Sequence, residues 1–315
     1  MTTEEGAAAA RPARSPRLYA LDVVPGGVHR IDPDDGTVTD IALGITEAPD
    51  GIVVDEVEGY AYITLMGTPD TPPQPGAEPP FTQRNGSVQR VPLAGGAPQI
   101  VVPRGTFTTG KQLTTDPATG RLYWCDREGR GVYRAERDGS GLTALILTAG
   151  HGPTRAEEEC VGIAVDTVRG WLYWTQKGPS DGGRGRILRA GLELPAGTSP
   201  DDRDDIETLW DGLPEPIDLE LDPNGQVLHW TDRGAGPLGN TLNRAPVPPP
   251  GRRGDPPTII AGDFHEAIGL AVDHANGTVY VSDLSGAVYG ITVADGDKWL
   301  VTKFPGPVTG LALVR

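Results

Sequence analysis

One β-hairpin is spelled out again and again along this chain, and a chain that repeats a hairpin has to stack the copies. Residues 121–139 (RLYWCDREGRGVYRAERDG) read as such a hairpin. Positions 122–124 are apolar and β-prone, 126–129 form the turn, and 132–134 begin the return strand. The phrase recurs as WLYWTQ…RILRAG (171–191), VLHWTD…TLNRAP (227–246) and TVYVSD…AVYGIT (278–292), with weaker copies at 17–32 and 60–92. A second phrase alternates with it: DGIVVD (50–55), KQLTTD (111–116), VGIAVD (161–166), IDLELD (217–222), IGLAVD (268–273) and TGLALV (309–314). Anchored on Tyr19, Tyr62, Tyr123, Tyr173, His229 and Tyr280, the hairpins lie 43, 61, 50, 56 and 51 residues apart. A period of roughly 40 to 50 residues, with about four short strands per unit, is the signature of a β-propeller. The expected fold is all-β: a single six-bladed β-propeller of four-stranded blades over 17–315, preceded by a disordered tail at 1–16.

Within each unit the lead-in is strand A, the LYWTD-type run strand B, the Val-x-Arg run strand C and the next apolar run strand D. The chain starts at a B strand (17–22), followed by C (28–31) and D (38–43), and no A strand precedes them. The C-terminal strand, 309–314, supplies the missing one and closes the ring. Closure pairs the edges that an open sheet would expose. The D–A and B–C loops then share one face, the top, and the A–B and C–D loops the other. The longest insertion, 66–86 (MGTPDTPPQPGAEPPFTQRNG), is a top-face B–C loop whose proline density argues for a semi-rigid extended cover. Gly-rich B–C loops at 177–185 and 233–240 join it, while 192–205 and 246–257 are inserted below.

LYWCD, LYWTQ, LHWTD and VYVSD each follow a GIAVD-like strand and precede an Ile/Val-x-Arg strand. In this they resemble YWTD repeats, the class B repeats of the low-density lipoprotein receptor. The resemblance covers about residues 17–315 and implies a six-bladed propeller. It leaves function open, because propellers host both binding and catalysis.

The balance of 27 Lys and Arg against 43 Asp and Glu gives a net charge of −16. That field repels phosphate backbones and anionic lipid, so nucleic-acid and membrane-surface partners are disfavoured. The 44 glycines and 31 prolines suit a turn-rich chain, and no long window has helical periodicity. Residues 1–16 have no apolar core of the kind a secretory signal needs, and no run is long enough for a membrane helix. Two cysteines, Cys125 and Cys160, make no disulfide framework. The expectation is a cytoplasmic monomer.

Aligning the A strands on Gly51, Gln112, Gly162, Asp218, Gly269 and Gly310 puts Ala48, Thr109, Glu159, Glu215, Glu266 and Pro307 at one height, where A strands enter the top of the channel. Three glutamates at that height, with His265 and Lys111 beside them, form the candidate catalytic set. Asp50, Asp218, Gln112 and His151 are the candidate substrate-binding residues. Carboxylates crowded into a half-buried funnel raise one another's pKa, which can yield a general acid or base near neutrality. The same acids could instead gather a divalent cation such as Ca²⁺, which takes about six to eight oxygens. They could also be rim charges or partners of Arg127, Lys177 and Arg233. The acid–base reading needs no cofactor. The repeated Asp22, Asp126, Asp232 and Asp283 and the C-strand Arg30, Arg90, Arg134, Arg189 and Arg244 serve every blade alike and are assigned to structure. Cys160 and His265, next to Glu159 and Glu266, could be a nucleophile and base, against the commoner role of a small buried Cys in packing. No zinc spacing, GxSxG elbow or P-loop is present.

The expected function is a small-molecule enzyme of lyase, hydrolase or cyclase type, acting on an organic substrate in an acidic pocket on the top face. In plan it is similar to six-bladed lactonases and strictosidine-synthase-like cyclising enzymes, without the lactonases' N-terminal Glu-Gly-Pro. The other reading is a non-catalytic platform for a protein partner, as in the receptor YWTD domains.

Overall fold

The structure, a computed structural model, describes residues 15–72, 79–150, 152 and 155–315. The tail expected at 1–16 falls almost wholly outside these residues, as do His151 and the middle of the Pro-rich loop. The strands follow the repeat: β1 (Arg17–Asp22), β2 (Gly27–Ile31) and β3 (Val38–Leu43); β4 (Pro49–Asp55), β5 (Tyr60–Leu65), β6 (Ser87–Pro92) and β7 (Gln99–Val102); β8 (Gly110–Thr115), β9 (Leu122–Asp126), β10 (Gly131–Ala135) and β11 (Thr143–Leu147). The second half continues with β12 (Cys160–Asp166), β13 (Trp171–Gln176), β14 (Gly185–Gly191) and β15 (Glu207–Leu213); β16 (Pro216–Leu221), β17 (Val227–Asp232), β18 (Thr241–Pro246) and β19 (Thr258–Ala261). It ends with β20 (Ala267–Asp273), β21 (Thr278–Asp283), β22 (Ala287–Thr292), β23 (Lys298–Lys303) and β24 (Val308–Val314).

Among the described residues these make six four-stranded antiparallel sheets, a six-bladed β-propeller. The first blade runs β24-β1-β2-β3, so the C-terminal strand closes the ring as expected, from Arg17↔Val314 to Asp22↔Val308.

Burial grades outward through each blade. The B strands β13 and β17 are buried at every position but the first, whereas the D strands β3 and β23 have no buried residue. A strand sandwiched between two neighbouring blades is apolar on both faces, so WLYWTQ and VLHWTD read as continuous runs instead of alternating. The outer edge carries Lys298 and Lys303, charges that discourage edge-to-edge pairing. The core lies between blades: Trp174 packs with Cys125 and Val132 of the preceding blade, and Trp230 with Ala164 and Tyr173.

Two devices bring the six A strands together around the axis. A Cβ on Gly162 would lie 2.1 Å from Ile217 O, and one on Gly269 2.1 Å from Thr309 O, so only glycine permits this approach. The hydroxyl in the third place of the YWTD motif then stitches blade to blade. Thr175 Oγ1 accepts from Gly162 N (2.6 Å) in its own blade and donates to Ile217 O (2.7 Å) in the next. Thr64, Thr231 and Ser282 donate in the same way to Lys111 O, Ile268 O and Thr309 O. Cys125 fills the place with a thiol 3.3 Å from Gly162 O. The first blade has Leu21 there, and Thr309 Oγ1 on β24 bonds Pro49 O (2.9 Å) instead.

Candidate functional site

The repeated strand-end acids organise the top loops. Asp126 accepts from Thr108 N and Thr109 N in the D–A loop and from Gly129 N in the B–C turn. Asp232 accepts from Glu215 N and Gly234 N, and Asp283 from His265 N and Ser285 N. Burial pushes Asp126 up to about 6 and Asp232 to about 7, with the backbone donors pulling the other way. These carboxylates hold the segments that carry the candidate residues, and their role is structural.

Glu159, Glu215 and Glu266 stand in adjacent blades, as the alignment predicts, with cations between them. Lys177 Nζ lies 3.4 Å from both Glu159 Oε2 and Glu215 Oε1. Arg233 Nη2 lies 2.8 Å from Glu215 Oε1, and its Nη1 is 3.8 Å from Glu266 Oε2. Acids and bases therefore alternate along a row crossing three blades. Burial raises the Glu159 carboxyl above its ordinary value, while Lys177 and Arg127 pull it back. Glu215 is 3% exposed, whereas the Glu266 side chain is 56% exposed. These acids are thus paired with nearby cations. Calcium does not fit either, because Lys177 and Arg233 occupy the gaps between the glutamates. Among the described residues no group of three or more His, Cys, Asp or Glu is placed to hold a metal ion.

The other candidates divide between axis and surface. Lys111 is buried in an ion pair with Asp50, and Met66 Sδ lies 3.5 Å from its Nζ. Asp218 reaches the same centre from across the ring. Burial and the neighbouring Asp50 hold its carboxyl well above the usual carboxylate range, against the pull of Lys111. Val161, Ile217 and Ile268 form one apolar cluster at the same level of their A strands. Gln112 is a strut: its Oε1 accepts from Ile163 N (2.6 Å) and Leu219 N (2.9 Å), and its Nε2 donates to Leu219 O (3.0 Å). Lys111 and Gln112 are therefore engaged in holding the channel together. His265 points outward, with its side chain 76% exposed and Nδ1 4.0 Å from Asp283 Oδ2. Cys160 is wholly buried beside Glu158 O and Thr148, and burial pushes its thiol up to about 12, so no Cys–His pair forms. The Pro-rich cover is anchored over this end: Phe81 is buried, Thr109 Oγ1 donates to its carbonyl (3.2 Å), and Asp70 accepts from Thr82. His151 lies outside the described residues.

The sequence reading missed the other end of the axis. A cavity of about 660 Å³ occupies the lower half of the channel and opens among the A–B turns. A signal was present. Two places after the aligned column stand Val53, Thr114, Ala164, Glu220, Ala271 and Ala312, so one blade alone contributes an acid.

No family model matches the chain. It is 41% identical to "low-density lipoprotein receptor-related protein 1" of Pyricularia oryzae, over 95% of this chain and 98% of that protein. It is 37% identical to "3-hydroxyacyl-CoA dehydrogenase-like protein LAM1" of Cochliobolus heterostrophus, over 84% of this chain but only 56% of that longer protein. Among solved structures it matches a chain of a nidogen/laminin complex at a TM-score of 0.70 and 18% identity, covering 95% and 98% of the two chains. The near-full-length match to a receptor-related protein overturns the expectation of a small-molecule enzyme with acid–base chemistry at the top. The geometry gives the physical reason: the glutamates meant to supply the acid and base are held by Lys177 and Arg233.

Proposed function

Because the chain belongs to the YWTD propeller family of low-density lipoprotein receptor-related proteins, we propose that it is a non-catalytic platform that binds a partner protein on its top face. The observation that carries this is the alternating row Glu159–Lys177–Glu215–Arg233–Glu266. Charges already held by one another present a fixed pattern to a complementary surface, and such patterns give specificity and steer encounter. Leu43 and Leu238, each more than half exposed at the top ends of their blades, add apolar contacts of the kind that interfaces bury. The nidogen/laminin structure, itself a complex of two proteins, is a parallel at the level of the fold. Both thiols are free and buried, which suits a reducing compartment, and we infer a cytoplasmic location.

The test uses the full chain as bait for its partner and compares three proteins. One is unaltered, one carries Glu266→Lys with Leu238→Asp on the top, and one carries Val57→Asp on an underside turn. Loss of the partner from the top variant alone is expected. Retention by the top variant with loss from the underside variant overturns the proposal.

A further inference from the structure

The cavity in the lower channel has a chemistry of its own. Each of the six A strands is the inner edge of its sheet, so the channel wall presents backbone N–H and C=O groups without ladder partners. Gln112 uses three of these groups to span the upper end. Immediately below, Ile52, Leu113, Ile163, Leu219, Leu270 and Leu311 bury their side chains in the inter-blade cores, and nearer the mouth the half-buried Val54, Val165, Leu221 and Leu313 line the cavity. One level below those six, five blades place Val, Thr or Ala, and the fifth places Glu220. Its Oε2 accepts from Val272 N (3.1 Å), and its Oε1 lies 3.5 Å from His274 Nε2. The side chain keeps 32% exposure, and Glu220 lines the cavity. The small residues of the other blades show that the strand packing does not require an acid there.

We propose that this cavity binds a small organic amine with an apolar body, its ammonium group against Glu220 and its hydrocarbon against the half-buried Val54, Val165, Leu221 and Leu313. The volume falls within the roughly 300–1,000 Å³ of ligand pockets. An ammonium has donors only, and the carboxylate and inner-edge carbonyls are acceptors. Asp166 and Asp222 line the mouth, and the net charge of −16 draws cations and repels anions. The proposed event is binding, and it is independent of the top face.

The test is calorimetry of the full chain with n-hexylamine, 1-hexanol and hexanoate, which share a body and differ in charge, with NMR of the His274 ring as the positional readout. Saturable hexylamine binding at least about tenfold tighter than hexanol, weakest for hexanoate, with the His274 signal shifted, is expected. Glu220→Gln should weaken hexylamine by about tenfold and leave hexanol unchanged. Hexanol or hexanoate binding as tightly as the amine, an unmoved His274 signal, absence of saturable binding, or undiminished amine affinity in Glu220→Gln each overturns the proposal. Should that variant fail to fold, the unaltered protein with the three probes still decides it.

Discussion

Glu215 is one buried carboxylate answering two cations, with Arg233 at 2.8 Å and Lys177 at 3.4 Å. Glu215→Gln removes the buried counter-charge that those cations share, leaving Glu159 to Lys177 and the exposed Glu266 to Arg233, and a loss of up to about 3 kcal/mol is expected in chemical denaturation. Glu266→Gln, in the same column but exposed, should change stability by less than about 0.5 kcal/mol. Crowded like charges, the expectation from sequence, would make both changes neutral or stabilising. The glutamate column was legible from the repeat. Lys177 and Arg233 were named as possible partners, but their places between its members were not legible, because each comes from a B–C loop whose path the repeat does not specify. Thr175→Val should cost about 1–2 kcal/mol through loss of its bonds to Gly162 N and Ile217 O, read from the same denaturation curves. His29 makes a pH-dependent contribution. Burial lowers its pKa, but bonds to Asp22 (3.0 Å) and Asp40 (2.8 Å) outweigh that and raise it above 6.5. A raised folded-state value favours the protonated ring in the native state. Its stabilisation is therefore complete below pH 6.5 and is lost as pH rises through the folded value. The stability gap between the unaltered protein and His29→Gln should shrink as pH rises from about 5.5 to about 8.5; a constant gap contradicts this assignment.

Among the elements, β24 has the largest consequence. It brings Val308 and Leu311, both buried, to the first blade, together with Thr309, the stitch to Pro49 O. Each buried aliphatic side chain contributes roughly 1.5–3 kcal/mol, and a typical domain has only about 5–15 kcal/mol in total. Deleting 308–315 also strips β1 of its partner along the axis. The truncated chain should lose its cooperative melt, and an unchanged melting temperature would show that the ring does not depend on this strand. The closing strand was legible because the first repeat has B, C and D but no A. The B strands were legible because burial on both faces writes them as unbroken apolar runs. The Pro-rich insertion was legible as a cover, but not that Met66 would lie against Lys111, since that contact joins different blades.

At the scale of the whole molecule, a repeat of one hairpin dictates a ring, and the ring dictates which loops share a face. What it leaves unspecified is the axis, where residues meet that are far apart in the chain. Gln112 bonds Leu219, 107 residues away, and Lys111 pairs with Asp50, 61 residues away. Those pairings fill the upper channel with bonds already made and leave the open volume below. On the proposed reading the top is a docking surface, and the underside the mouth of a small-ligand site. The most direct measurement is hydrogen exchange of the full chain with and without its captured partner. Protection is expected in the top segments 177–185, 233–240 and 263–266. Protection confined to the A–B turns on the underside, with these top segments unchanged, would contradict a top-face platform.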